Sequence, residues 1–226
     1  MRQPISEVYN EDCMAGMARY PDGYFHLAVV DPPYGIKRDG AEKTTSRHGG
    51  RKAHEFKGWD SEPPGKDFFD ELRRVSKNQI IWGANYYPQF LKGSMGWIFW
   101  DKGQRICNSD GEPAYTSFDR ALRVAEYNRV ELLFEGTIHP TQKPVALYKW
   151  LLTNYAKPGD RILDTHLGSG SSRIAAWDMG FDFYGFELDA DYFAAMQKRF
   201  ETHTSKPVLF APEEMYTFEQ TKLFPE

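Results

Sequence analysis

The chain has 226 residues, 41% of them hydrophobic, which is enough for one sizeable core and makes a single domain over 1–226 the default reading. A net charge of -4 argues against a uniformly basic nucleic-acid binder, and the two cysteines, Cys13 and Cys107, stand outside any CxxC or Cys/His cluster, leaving no sign of a disulfide framework or a metal site. No run of about 18 apolar residues offers a membrane span, and MRQPISEVYNEDC lacks an apolar signal core, so a reduced, cytoplasmic setting is expected.

The first apolar run, FHLAVV at 25–30, reads as a buried strand that delivers Asp31-Pro32-Pro33-Tyr34 directly into a turn. Residues 37–65 follow, polar, glycine-bearing and ending in Pro63-Pro64-Gly65; a loop of this length inside a domain is expected to be functional and mobile. Within it, 37–57 carries seven basic and three acidic residues, against an acidic remainder. KDFFDELRRVSK at 66–77 reads as a helix with Phe69, Leu72 and Val75 on one stripe. QIIWG (79–83) and GWIFW (96–100) read as strands, and the mixed stretch 101–138 as an insert with one strand at 117–124.

PVALYKWLLTNYA at 144–156 reads as a helix with Pro144 in its first turn and Leu147, Leu151 and Tyr155 buried. RILD (161–164) is a strand, SSRIAAWDMG (171–180) a helix closed by Gly180, and FDFYGFE (181–187) another strand. Asp189 is a good N-cap for a helix at 189–200, and PVLF (207–210) offers one more strand. Short buried strands alternating with helices predict an α/β fold, a mostly parallel sheet covered on both faces.

Two stretches carry chemistry. RILDTHLGSGSS is strand, glycine turn, helix; Gly168 and Gly170 let the backbone approach a ligand closely. Glu187 ends the next strand, 17 residues beyond Gly170, where a carboxylate suits the two hydroxyls of an adenosine ribose. The pattern indicates an adenosine-containing cofactor without saying which, and an ordinary βα turn stays open beside it. The second stretch is Asp31-Pro32-Pro33-Tyr34. Two prolines stiffen the turn and leave carbonyls to accept. The amino nitrogen of adenine is a poor nucleophile because its lone pair is delocalised. Acceptors that grip both its protons, Asp31 and the Pro32 carbonyl, would localise that pair as positive charge develops, while Tyr34 stacks on the base. The plainer alternative is a proline turn packed for stability.

DPPYGI (31–36), HPTQKP (139–144) and LDTHLGSGSS (163–172), in that order, resemble the amino-methylating (N6-adenine/N4-cytosine) DNA methyltransferases with β-group motif order. IIWGANYYP, GWIFWDKG and GEPAYTSF add to the likeness, which covers residues 8–200. The resemblance implies a circularly permuted, Rossmann-like sheet of seven strands with helices on both faces. It implies S-adenosylmethionine as cofactor and Asp31, Pro32, Pro33 and Tyr34 as the grip on a flipped base. Asp164, Thr165, Gly168, Ser169 and Gly170 would form the methionine side of the cofactor pocket and Glu187 its ribose ligand. Thr141 and Lys143 would meet the cofactor carboxylate and Asp12 its adenine. The family usually carries D-P-F-x-G-S-G-T, where this chain has Thr165 and His166; His166 reads as a cofactor contact or, the favoured reading, as a hydrogen-bonded core histidine.

Lys37, Arg38, Arg47, Arg51 and Lys52 are expected to meet the phosphates of double-stranded DNA, and 101–138 to read sequence. In the family DPPY leans to adenine and SPPY to cytosine, so Asp31 favours N6 of adenine. N4-cytosine methylation and a catalytically inactive DNA-binding relic remain as alternatives. NPPY-type RNA or protein methylation has the opposite motif order, and a nucleotide-binding oxidoreductase would need an intact G-x-G-x-x-G. A homodimer and a restriction endonuclease partner are left open, and a bacterial or phage origin is expected.

Overall fold

In FHLAVV only His26 escapes full burial, so this run can only be an interior strand. The computed structural model, which describes residues 2–40, 56–103, 109–128 and 136–205, sets it in the middle of one eight-stranded sheet. In chain order the elements are β1 (Ser6–Asn10), α1 (Cys13–Met17), β2 (Phe25–Val30), α2 (Lys66–Val75) and β3 (Ser76–Trp82). Two short 3₁₀ turns, Ala84–Tyr86 and Pro88–Phe90, lead to β4 (Trp97–Asp101), β5 (Gly111–Thr116) and β6 (Arg123–Glu126). Then come α3 (Val145–Tyr155), β7 (Arg161–Asp164), α4 (Ser171–Asp178), β8 (Asp182–Glu187) and α5 (Ala190–Thr204).

The spatial order is β1-β8-β7-β2-β3-β5-β4-β6, and β5 alone runs against the others. The late strands β7 and β8 thus slot between β1 and β2. Alternation along β2 splits the core. Leu27 and Val29 pack on one face with Leu147, Leu151, Ala175 and Met196 from α3, α4 and α5. Ala28 and Val30 pack on the other with Met17, Phe68, Phe69, Leu72 and Val75 from α1 and α2. At about 25 cal/mol per Å² of apolar area removed from water, these two faces supply most of the driving force for folding.

Three expectations need correction. The sheet has eight strands among the described residues, not seven. The single strand expected at 117–124 is instead two, β5 before it and β6 at its end. Gly111 and Pro113 disguise β5, whereas Pro113 serves the sheet through its carbonyl, which accepts from Gly83 N–H. The polar edge strand β1 shows no apolar run because most of its side chains face outward. Pro144 precedes α3 as an extended residue instead of opening its first turn. Asp189 caps α5 as expected, accepting from the N–H groups of Asp191 and Tyr192. The strand expected at 207–210, and Arg47, Arg51 and Lys52, lie outside the described residues.

Candidate active site

Because β1, β8, β7, β2 and β3 are parallel, their carboxyl ends collect along one edge of the sheet, where ligands of open α/β sheets bind. That edge carries, in spatial order, Asp12, Glu187, Asp164, Asp31 and Gly83. Antiparallel β5 brings its first residues, Gly111 and Glu112, to the same edge. Two cavities open there, of about 590 Å³ and about 320 Å³. They share a wall of Asp31, Pro33, Trp59, Thr141, Gln142 and Lys143.

The larger cavity gathers Asp12, Thr141, Lys143, Thr165, Gly168, Ser169 and Glu187 from the expected cofactor set. The turn after β7 owes its shape to Gly168 (φ 48°) and Gly170 (φ 72°), in the left-handed region that favours glycine. Glu187 closes the turn from the next strand. It accepts from Gly168 N–H at 2.7 Å and Asp189 N–H at 2.9 Å, while burial pushes its carboxyl up. Those bonds leave lone pairs for further donors from the cavity. Beside it Leu188, 69% exposed, offers an apolar face. Asp12 caps α1 through Oδ1, which accepts from Met14 and Ala15 N–H.

Two of the expected cofactor residues stand behind the cavity and do not line it. A Cβ on Gly170 would meet Met196 Cγ at 2.4 Å. Asp164 accepts from Ser172 Oγ at 2.5 Å and His166 N–H at 3.0 Å, tying the turn to α4, and burial raises its carboxyl to about 7. His166 is hydrogen-bonded, its Nδ1 2.9 Å from Thr165 Oγ1, and it also lines the cavity with its ring edge-on to Phe68. Burial holds its pKa down to about 4, so the ring is neutral near pH 7.

The smaller cavity is lined by Pro32, Tyr34, Arg38, Tyr86, Trp100, Lys102 and Glu112. Tyr34 donates its phenol to Asp31 Oδ1 at 2.6 Å. Lys143, almost wholly buried, sets Nζ 2.5 Å from Asp31 Oδ2 and 3.1 Å from Glu112 Oε2. Lys102 donates to Glu112 Oε1 at 2.5 Å, so two buried ammonium groups face two carboxylates. Burial pushes the Asp31 carboxyl up against the pull of Lys143, with Glu112 adding to the push. Glu112 also suffers burial, yet Lys143 and Lys102 hold it down to about 2. The Lys143 ammonium therefore lies on the shared wall, engaged with Asp31.

The Asp31–Tyr34 turn is held from a distance. Asp60, buried, accepts Tyr34 and Gly35 N–H on Oδ1 at 2.7 and 2.8 Å, and Arg38 N–H on Oδ2 at 2.7 Å. Between them Lys37 takes a positive φ of 57°, the one non-glycine to do so among the described residues. Lys37 and Arg38 are exposed, and Arg38 lines the smaller cavity. Sequence reasoning missed Asp60, Lys102, Glu112 and Trp59. GWIFWDKG and GEPAYTSF contain two of them, but nothing local says that Lys102 and Glu112 meet across a hairpin.

A stiff acidic turn at the middle of the sheet thus stands beside a glycine turn with an acid on the adjacent strand. The profile described as DNA methylase, for N6 and N4 amino methylation, matches residues 81–198, more than half of the chain, and the chain belongs to this family. It is 22% identical to the type II methyltransferase M.BglII of Bacillus subtilis over 84% of this chain and 68% of that protein. The fold is similar to that of M1.HpyAVI in its S-adenosylmethionine complex (17% identity, 85% of this chain, 98% of that one, TM-score 0.58). It is also similar to the cytosine-N4-specific PvuII DNA methyltransferase (12% identity, 94% and 91%, TM-score 0.60). No helix among the described residues is long and apolar enough to cross a membrane, and those residues form no cluster fit to hold a metal ion.

Proposed function

We propose that this DNA methyltransferase moves a methyl group from S-adenosylmethionine to N6 of adenine in double-stranded DNA, on a base flipped out of the helix. The observation that carries the reading is that Asp31 and Lys143 sit on the wall between two cavities, one suited to a nucleoside cofactor and one to a base. S-adenosylmethionine, when bound, supplies the electrophilic methyl group. A cavity of about 590 Å³ is in the usual range for a ligand of that size, and the Glu187 lone pairs and the Leu188 face fit its ribose and adenine. Gly168 and Ser169 keep that end free of bulk, and Thr141 and Asp12 are further polar contacts.

In the smaller cavity Asp31 Oδ2 and the Pro32 carbonyl accept hydrogen bonds from the two N–H groups of the target amino group, and Asp31 is placed to take the one proton that the nitrogen sheds once it carries the methyl group. The amino group takes the seat the Lys143 ammonium holds on Asp31, and Lys143 keeps Glu112 as its partner. The grip favours a more tetrahedral nitrogen, and the Asp31 charge counts most as positive charge builds there. Tyr34, fixed by its bond to Asp31 and by Asp60 at its backbone, supports the ring. Flipping costs a few kcal/mol, offset in part by phosphate contacts of Lys37 and Arg38.

The same grip suits N4 of cytosine, and a cytosine-N4-specific enzyme shares the fold. Asp31 at the head of the turn favours adenine. Transfer of labelled methyl from S-adenosylmethionine to mixed-sequence duplex DNA tests the reading. Incorporation is expected, and Asp31→Ala should abolish it while S-adenosylhomocysteine still binds. Incorporation that survives Asp31→Ala would remove the turn from the chemistry.

A further inference from the structure

Tyr34 has little free surface. Gly83 abuts its ring so closely that a Cβ there would lie 2.1 Å from Tyr34 Cε1. Tyr87 meets the ring edge-on, 6.5 Å between centroids. Tyr86 lies flat on it, centroids 4.9 Å apart and planes within 14°. A base stacked on Tyr34 needs that same layer, because aromatic faces stack at such separations.

The two neighbouring tyrosines are held very differently. Tyr87 is fully buried and donates its phenol to the Trp82 carbonyl at 2.6 Å. Tyr86 is 39% exposed, rides on a single 3₁₀ turn after Gly83 (φ 65°), and its phenol makes no hydrogen bond among the described residues. It lines the smaller cavity together with Asp31 and Lys102. The stack on Tyr34 is the one ring contact that Tyr86 makes among the described residues.

We propose that Tyr86 is a stand-in for the target base: it covers the stacking face of Tyr34 while the pocket is empty and yields that face to the nucleobase. The inference rests on the smaller cavity being the base pocket. An aromatic stand-in keeps apolar surface from water and keeps Tyr34 aligned on Asp31. The base then exchanges one stack for another, so the Tyr34–Tyr86 contact opposes base entry. Such a pair is worth about 0.5–1.5 kcal/mol, which corresponds to a roughly two- to tenfold handicap in affinity.

The test is fluorescence anisotropy with labelled short oligodeoxyadenylate and oligodeoxythymidylate, which need no flipping, in the presence of S-adenosylhomocysteine. Tyr86→Ala should bind oligodeoxyadenylate roughly two- to tenfold more tightly than the unaltered protein. Tyr86→Phe, which retains the ring, should match the unaltered protein, and thymidylate binding should not change. Weaker binding by Tyr86→Ala would make Tyr86 a fixed wall of the pocket, and unchanged binding would make it a bystander; either overturns the inference. Asp31→Ala separates the two levels. If the unaltered protein shows no adenylate preference, or one that Asp31→Ala leaves intact, the base-pocket reading fails and the stand-in falls with it. If Asp31→Ala abolishes the preference and Tyr86→Ala does nothing, the stand-in alone fails.

Discussion

Replacing His166 by phenylalanine, the residue the family usually carries there, should change how stability depends on pH. Burial holds the folded-state pKa of His166 at about 4, against 6.5 for an unperturbed histidine. Between those values the unfolded chain binds a proton that the native ring refuses, so the native state loses stability as pH falls. The loss is about 1.4 kcal/mol per pH unit below 6.5, or about 2 kcal/mol at pH 5.0. Phenylalanine has nothing to protonate and escapes this penalty. Asp164 works in the opposite sense: its folded-state pKa is raised to about 7, so its contribution grows as pH falls from 7 toward 4. Both proteins retain Asp164, so its effect cancels in the comparison, and the lost partner of Thr165 Oγ1 adds an offset independent of pH. Urea unfolding followed by tryptophan fluorescence at pH 7.5 and 5.0 measures the difference. The variant should gain about 2 kcal/mol on the unaltered protein between the two pH values. Parallel pH dependence would show that the imidazole titrates normally and that the turn is wetter than its packing implies.

Glu187→Ala should weaken S-adenosylhomocysteine binding by roughly 10- to 100-fold in calorimetry, since charged hydrogen bonds are lost; an unchanged affinity would remove Glu187 from the cofactor site. Gly170→Ala should cost about 1–3 kcal/mol of unfolding free energy, because φ is positive and the new Cβ meets Met196; full stability would mean α5 moves freely. Lys37→Gln with Arg38→Gln should reduce the slope of log affinity for duplex DNA against log salt by roughly 1.8, about 0.9 for each phosphate contact; an unaltered slope would exclude both from the interface.

The sheet's middle was legible because its strands carry short buried apolar runs bounded by turn residues, at 27–30, 80–82 and 162–163. The edges were not. β1 exposes Glu7, Tyr9 and Asn10, and β5 hides behind a glycine and a proline, so neither shows the periodicity on which sequence reading depends. The site divides in the same way. Residues fixed by a local motif, such as Asp31 with Tyr34 and Gly168 with Gly170, could be found one by one. Asp60, Lys102 and Glu112 act through contacts between distant segments. Asp60 reaches back 26 residues to Tyr34, and Lys143 crosses 112 residues to Asp31. Lys143 reads from its motif as a cofactor contact; its ammonium lies on the wall both cavities share and also meets Asp31 and Glu112, which no local pattern signals.

The central claim is methylation of an adenine amino group held by Asp31. It is tested most directly by mass spectrometry of nucleosides digested from duplex DNA of mixed sequence after incubation with S-adenosylmethionine, beside an Asp31→Ala control. N6-methyladenine that disappears in the control is the predicted result. N4-methylcytosine, or no methylated nucleoside from protein shown to bind the cofactor, would contradict it.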